Sequence, residues 1–89
     1  MSCSVYLIKS KIDDSFYVGI SENPKKRLLE HNSGKLKITS KRKPYELIYS
    51  KEYMDYKSAR KHEIWLKKKS TMYKNKLAQL APPELGGVK

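Results

Sequence analysis

Two short segments rich in β-branched and aromatic residues lie near the start of the chain and constrain its fold more than any other feature. They cover residues 4–9 and 16–20, and the residues between them are polar and rich in turn formers. This pattern predicts a β-hairpin. Either of the two antiparallel registers that suit the loop places Tyr6, Tyr17 and Gly19 on one face of the sheet. Gly19 would then leave a gap in the side-chain layer of that face.

Three helices and a third strand are predicted in the rest of the chain. Asn23, Asp55 and Ser70 are residue types that cap helices, and each precedes a segment that suits a helix. The elements follow in this order: a helix over 24–32, a polar basic loop over 35–43, a strand over 44–53, a helix over 56–69 and a short helix that ends at residue 80. The predicted fold is α/β, more narrowly α+β, with a central three-stranded antiparallel sheet flanked by helices in the order β-β-α-β-α-α.

The length of the chain fits one small domain and excludes a large multi-substrate enzyme. We expect this domain to cover residues 1–81, and residues 82–89, with their paired prolines and glycines, to form a flexible C-terminal tail.

Positive charge dominates the composition. The 89 residues contain 20 Lys and Arg against 9 Asp and Glu, a net charge of +11. A polyanion is the expected partner of such a chain, and nucleic acid is the first candidate. The densest basic stretch outside the predicted helices is Lys41-Arg42-Lys43, which we expect to contact nucleic acid. A basic RNA- or ribosome-associated protein would share this charge, but nothing else in the sequence supports that reading.

Several other classes of protein do not fit the sequence. The single cysteine, Cys3, cannot form an internal disulfide, and with two histidines it cannot complete a structural zinc site. The apolar stretches are too short to cross a bilayer, and the first residues lack the pattern of a signal peptide. We therefore expect a cytoplasmic protein with neither a membrane partner nor a small-molecule cofactor.

A few polar residues occupy positions that suit chemistry. Arg27 and His31 are four residues apart and share a face of the first predicted helix. Glu63 falls on the apolar face of the next helix, where a charge must be paired, hydrated or bound to a cation. Glu63 is the only carboxylate expected in the cleft, since others fall at the hairpin tip, near helix starts or beside His31: Asp13, Asp14, Glu22, Asp55 and Glu30. One carboxylate can hold one Mg²⁺ together with waters and substrate phosphate oxygens, which favours one-metal hydrolysis.

The triplets Ser4-Val5-Tyr6 and Tyr17-Val18-Gly19 resemble the two motifs of the GIY-YIG endonuclease family. The order of the later residues is also similar to that family: Arg27, His31, Glu63 and Asn75. The likeness spans about residues 4–80 and is greatest to small stand-alone single-domain members that are often left as uncharacterised proteins. It implies a Mg²⁺-dependent endonuclease, with Mn²⁺ able to substitute, that hydrolyses DNA phosphodiester bonds and leaves 5′-phosphate and 3′-hydroxyl ends.

The resemblance also implies a role for each residue of the pattern. Tyr6 is the general base, and Tyr17 holds the attacking water or shares the role of base. Arg27 binds the scissile phosphate, and His31 bonds to Tyr6 or the phosphate. Glu63 holds the metal ion, and Asn75 orients a phosphate or a water. Because a phenol has a pKa near 10, we expect positive charge from Arg27 and nearby lysines to lower the pKa of Tyr6.

The sequence departs from the family pattern in three ways. Ser4 and Val5 replace Gly and Ile of the first motif, and Ile20 and Ser21 stand where some relatives have an activating lysine. These 89 residues contain no separate DNA-recognition domain, so we expect low sequence specificity from them, with branched, damaged and single-stranded DNA as candidate substrates. The alternative is a non-catalytic nucleic-acid-binding module of the same fold, against which the presence of all six catalytic-type residues counts.

Overall fold

Antiparallel pairing of three strands organises residues 2–80, which are the residues that the computed structural model describes. The elements are strands β1 (Cys3–Ser10), β2 (Phe16–Ser21) and β3 (Tyr45–Tyr53), and helices α1 (Pro24–Asn32), α2 (Lys37–Ser40), α3 (Tyr56–Lys67) and α4 (Thr71–Leu80). The sheet order is β2-β1-β3. The predicted α+β fold and its central antiparallel sheet are confirmed. The predicted tail over 82–89 and the domain boundary at 81 lie outside the described residues.

Side-chain caps begin three of the helices, as predicted. The Asn23 side chain accepts a hydrogen bond from the Lys26 amide, and the Asp55 side chain accepts one from the Ser58 amide at 2.7 Å. The Ser70 hydroxyl accepts from the Tyr73 amide at 3.2 Å. These bonds satisfy backbone donors that the first helical turn leaves free.

The prediction of an uninterrupted loop over 35–43 is wrong, because α2 lies within it. The Thr39 amide bonds to the Leu36 carbonyl at 3.2 Å, and the Arg42 amide bonds to the Thr39 carbonyl at 3.2 Å. Buried Thr39 anchors this short helix to the rest of the fold. Tertiary contacts can stabilise so short a helix where local propensity does not.

Successive side chains of β1 point to opposite faces of the sheet, and both faces are buried. Val5 and Leu7 pack with Ala59 and Leu66 of α3 on one face, and helix α4 adds partly buried side chains there. Tyr6 and Ile8 pack on the other face, against Leu28 of α1. The register pairs Tyr6 with Gly19 and Ile8 with Tyr17, so the prediction that Tyr6, Tyr17 and Gly19 share a face is confirmed.

A bulge in the β1–β3 pairing divides the tyrosines of β3 between the two faces. Leu7 pairs with Tyr49, but Ile8 pairs with Leu47, so one residue of β3 is left over between them. Before the bulge, Tyr45 packs on the Tyr6 face; after it, Tyr49 and Tyr53 pack on the α3 face. A bulge reverses the direction of later side chains in this way.

Among residues 2–80, none of the helices combines the length and apolar character that a bilayer crossing requires.

Candidate active site

Tyr6, His31 and Thr39 form a continuous hydrogen-bonded chain on the α1 face of the sheet. The Tyr6 hydroxyl lies 3.0 Å from Nε2 of His31, and Nδ1 of His31 lies 2.6 Å from Oγ1 of Thr39. The relative exposures of these residues are 1%, 0% and 1%. Strand β1, helix α1 and helix α2 each supply one member, which is how residues far apart in the sequence meet.

Burial keeps His31 uncharged at neutral pH. It lowers the pKa of His31 below 6.5, and the nearby Arg27 guanidinium lowers it further, while Glu30 opposes the change. A neutral imidazole has one ring nitrogen that donates and one that accepts. His31 can therefore accept a proton at the nitrogen that faces Tyr6.

Tyr6 is more weakly acidic than the sequence led us to expect. Burial raises its pKa to about 12, even though hydrogen bonding to Arg27 lowers it. The prediction that positive charge lowers the pKa of Tyr6 is therefore wrong in net effect, because desolvation of the phenolate outweighs the guanidinium. Tyr6 can take up a proton only if it releases its own, and His31 is the acceptor bonded to it.

Tyr17 lies beside this chain and is less buried. Its ring centroid is 5.0 Å from that of His31, in an edge-on arrangement, and 6.3 Å from that of Tyr6. Tyr17 thus borders the imidazole from β2. The structure brings together Tyr6, Tyr17, Arg27 and His31 of the six predicted residues.

Arg27 is held by a neighbouring carboxylate. Its Nη1 donates to Oε1 of Glu30 at 2.8 Å, and the Arg27 side chain remains 40% exposed. Both residues border a surface cleft of about 370 Å³ next to the start of α1, together with Ile20, Ser21, Glu22, Asn23 and Lys26. Glu22 and Glu30 line this cleft and Glu63 does not, so the prediction that Glu63 is the only carboxylate in the cleft is wrong.

Glu63 belongs to the helix that packs on the opposite face of the sheet from Tyr6. It lies on α3, is 7% exposed, and is near enough to Tyr6 for its charge to make a small contribution to the raised pKa of the phenol. Arg60 donates to one carboxylate oxygen at 2.6 Å, and Lys67 lies 3.2 Å from the other. This pairing explains how the apolar face of α3 tolerates a carboxylate.

The carboxylate of Glu63 is the protein ligand to compare with the needs of one Mg²⁺. Residues 2–80 contain no group of three or more His, Cys, Asp or Glu side chains placed to hold a metal ion. Mg²⁺ nevertheless often binds through one carboxylate, waters and substrate phosphates. Glu63 meets that requirement once its oxygens are released from Arg60 and Lys67.

Asn75 and the basic triplet have side-chain partners outside the Tyr6–His31 pair. The Asn75 side-chain oxygen accepts a hydrogen bond from Lys9 at 3.1 Å, on the α4 side of the molecule. Residues 41–43 are exposed, and Arg42 pairs with Asp13 of the hairpin turn at 3.2 Å.

Thr39 and Glu30 were not among the residues predicted from the sequence. Thr39 belongs to a stretch in which positive charge is the only visible pattern. Glu30 has the sequence context of a solvent-exposed helix residue. The spacing of Arg27 and Glu30, three residues apart on a helix, was the available signal for their ion pair.

A family model described as the GIY-YIG catalytic domain matches residues 2–77, and the chain belongs to this family. A UPF0213 protein of Staphylococcus epidermidis is 36% identical over 76 residues, which cover 84% of this chain and 92% of that protein. UPF0213 protein YazA of Bacillus subtilis is 38% identical over 64 residues, 71% of this chain and 64% of that protein. The solution NMR structure of a UPF0213 protein from Bacillus halodurans covers 100% of this chain and 95% of its own, with 28% identity and a TM-score of 0.59.

Proposed function

We propose that the protein is a Mg²⁺-dependent endonuclease that hydrolyses DNA phosphodiester bonds by a one-metal mechanism, with Mn²⁺ able to replace Mg²⁺. One observation carries this proposal: the Tyr6 hydroxyl is bonded to a neutral, buried His31 beside Arg27, within a chain of the GIY-YIG family. Such a pair can take a proton from water without a free phenolate. The net charge of +11 favours a polyanionic substrate.

Tyr6 and His31 would act together as the base. The oxygen of the attacking water forms a bond to phosphorus while its proton passes to the Tyr6 oxygen, and the Tyr6 proton passes to Nε2 of His31. The bond from phosphorus to the 3′ oxygen breaks, leaving a 5′-phosphate and, once the 3′ oxygen is protonated, a 3′-hydroxyl. This exchange bypasses the high pKa of Tyr6, because no separate phenolate has to form. Tyr17, whose ring borders that of His31, would hold the water.

Arg27 would bind the scissile phosphate. Its guanidinium can match two phosphate oxygens and counter the charge that develops on them. Tyr6 is only 1% exposed, so the substrate must open the site. Arg27 lies at the cleft, where a phosphate would compete with Glu30 for its guanidinium.

Glu63 would hold the metal ion near the leaving oxygen. Mg²⁺ bound there would supply a Lewis acid that neutralises charge on the phosphate and the leaving group. Asn75, beside Lys9, would orient a more distant phosphate, and Lys41, Arg42 and Lys43 would track the DNA backbone. With no recognition element among these residues, branched, damaged and single-stranded DNA are the substrates to test first.

A second candidate is a nucleic-acid-binding module without catalysis. Both oxygens of Glu63 are bound by cationic side chains, which favours this reading, because a committed metal ligand would have to break two ion pairs.

Cleavage assays on supercoiled, linear, single-stranded and branched DNA, with Mg²⁺, Mn²⁺ or chelator, separate the two candidates. The nuclease proposal predicts metal-dependent nicking by the wild type and its loss in Glu63→Gln. Arg60→Gln is the matched control, since it breaks the same ion pair but keeps the carboxylate, and it should retain cleavage. Binding without cleavage of any DNA form would support the module.

A further inference from the structure

The His31 ring lies between two hydroxyl groups, and this arrangement decides which nitrogen carries its proton. Tyr6 faces Nε2 at 3.0 Å and Thr39 faces Nδ1 at 2.6 Å. All three side chains are buried, so each polar hydrogen must find a partner within the protein. A neutral imidazole can present either nitrogen as the donor, and the second hydrogen-bond partner of the Thr39 hydroxyl selects one.

At one end of the hydrogen-bonded series Tyr6–His31–Thr39, Thr39 has a second partner. Its hydroxyl donates to the Leu36 carbonyl oxygen, at a longer distance of 3.5 Å. A carbonyl oxygen can only accept, so the single hydroxyl hydrogen of Thr39 is directed to Leu36. The oxygen of Thr39 is then left to accept from His31, which requires a hydrogen on Nδ1.

At the other end, the Tyr6 hydroxyl suits this tautomer without selecting it. A phenol hydroxyl can donate or accept, so its hydrogen bond to Nε2 is compatible with a hydrogen on either ring nitrogen. Once Thr39 fixes the hydrogen on Nδ1, the hydroxyl hydrogen of Tyr6 is the one that is donated. Within the described residues, Nε2 of His31 is the acceptor bonded to it, and this role requires that Nε2 carry no hydrogen.

We propose that Thr39 is a positioning residue, which accepts the Nδ1 proton of His31 and so presents the bare Nε2 to Tyr6. The inference rests on the proposed nuclease function for its catalytic meaning, but the tautomer itself can be observed without any substrate. When Tyr6 passes its proton to Nε2, Thr39 continues to accept from Nδ1 and stabilises the resulting imidazolium. Helix α2 is the element that brings Thr39 to the ring.

The direct test is the ¹⁵N spectrum of the imidazoles in the full chain, recorded above the ordinary histidine pKa of about 6.5. The chain contains two histidines, so His62 is an internal reference in every sample. We expect His31 of the wild type and of Thr39→Ser to carry its proton on Nδ1. Thr39→Val, which has nearly the same shape but no hydroxyl, should shift the proton partly or wholly to Nε2. A wild-type His31 protonated on Nε2 overturns the proposal.

Single-turnover cleavage then tests the catalytic consequence. Thr39→Val should lose roughly tenfold or more in rate at saturating DNA with little change in DNA affinity, while Thr39→Ser stays near the wild type. Thermal unfolding of both variants checks the fold, and the wild-type spectrum keeps the proposal falsifiable if Thr39→Val does not fold. Thr39→Val with the wild-type rate and tautomer overturns the proposal. A wild type that never cleaves overturns the nuclease function, while the spectrum still decides the tautomer.

Discussion

The phenol ring of Tyr6 lies directly over Gly19, its partner across the β1–β2 pair. A Cβ added to Gly19 would overlap the Tyr6 hydroxyl group and come within 2.5 Å of Cζ. Both atoms belong to a buried ring that is bonded to His31, so they cannot move aside without cost. Glycine at this position therefore leaves the space in which the tyrosine of the first motif reaches the histidine of α1.

Gly19→Ala should displace Tyr6 and break its bond to His31. We expect a loss of about 1–3 kcal/mol in the free energy of unfolding, the usual cost of overpacking a buried site, and a large loss of cleavage. Urea denaturation measures the first effect. In a Tyr6→Ala background the same added methyl group should cost much less, because the ring is gone. Equal costs in the two backgrounds would show that Tyr6 does not occupy the space over Gly19.

Local signals were enough to predict most of the fold. Asn23, Asp55 and Ser70 cap the helices that they were expected to cap, because a capping bond involves only residues a few positions apart. The shared face of Tyr6 and Tyr17 followed from the hairpin alone. α3 ends at Lys67, two residues earlier than predicted, and the run of lysines there gives no stop signal.

Features that depend on distant neighbours were not predicted. The bulge of β3 arises from its pairing with β1, and nothing in the β3 sequence requires it. The pKa of Tyr6 depends on how deeply the fold buries the phenol, which the sequence does not give. Thr39 belongs to the site because α2 folds against His31, and a lone threonine in a basic stretch carries no sign of that contact.

Acid should destabilise the fold through its histidines. Burial lowers the pKa of His31 and of His62, with Arg27 and Lys51 adding to the effect. The unfolded chain, with histidine pKa values near 6.5, then binds protons more readily than the folded one. Stability should be fully present above about pH 6.5 and fall as pH decreases through the lower folded values. Melting temperatures measured across this range, with NMR titration of both rings, check the sign. A melting temperature that rises on acidification would contradict it.

Glu30→Gln should strengthen DNA binding. The substitution removes the carboxylate that holds Arg27 at 2.8 Å and leaves the guanidinium available to a phosphate. We expect a gain of a few-fold in affinity, since the pair is partly exposed and such pairs are weak. Glu46→Gln is the control, because it removes an equal charge from an exposed position on β3. It should have a smaller effect on affinity. Equal gains would mean that only net charge matters. Fluorescence anisotropy with labelled DNA in chelator measures both variants without cleavage.

Replacement of Lys41, Arg42 and Lys43 by alanine should weaken binding to all DNA sequences about equally. Each lost phosphate contact should reduce the salt slope of the logarithm of affinity by about 1. A triple variant of Lys57, Lys61 and Lys68, exposed lysines of α3 and its end, removes the same charge elsewhere. Equal salt slopes for the two triple variants would show that residues 41–43 contact DNA no more than other exposed basic residues do.

The central claim is that Tyr6 and His31 move the proton of the attacking water, and Tyr6→Phe tests it most directly. Tyr53→Phe is a matched control, because Tyr53 also bonds to a histidine, His62, at 3.0 Å and lies on the opposite face of the sheet. The measurement is the single-turnover rate of Mg²⁺-dependent cleavage at saturating DNA. The account predicts a loss of roughly 10²-fold or more for Tyr6→Phe, with DNA affinity unchanged, and a rate near the wild type for Tyr53→Phe. A Tyr6→Phe protein that is folded and cleaves as fast as the wild type would contradict the account.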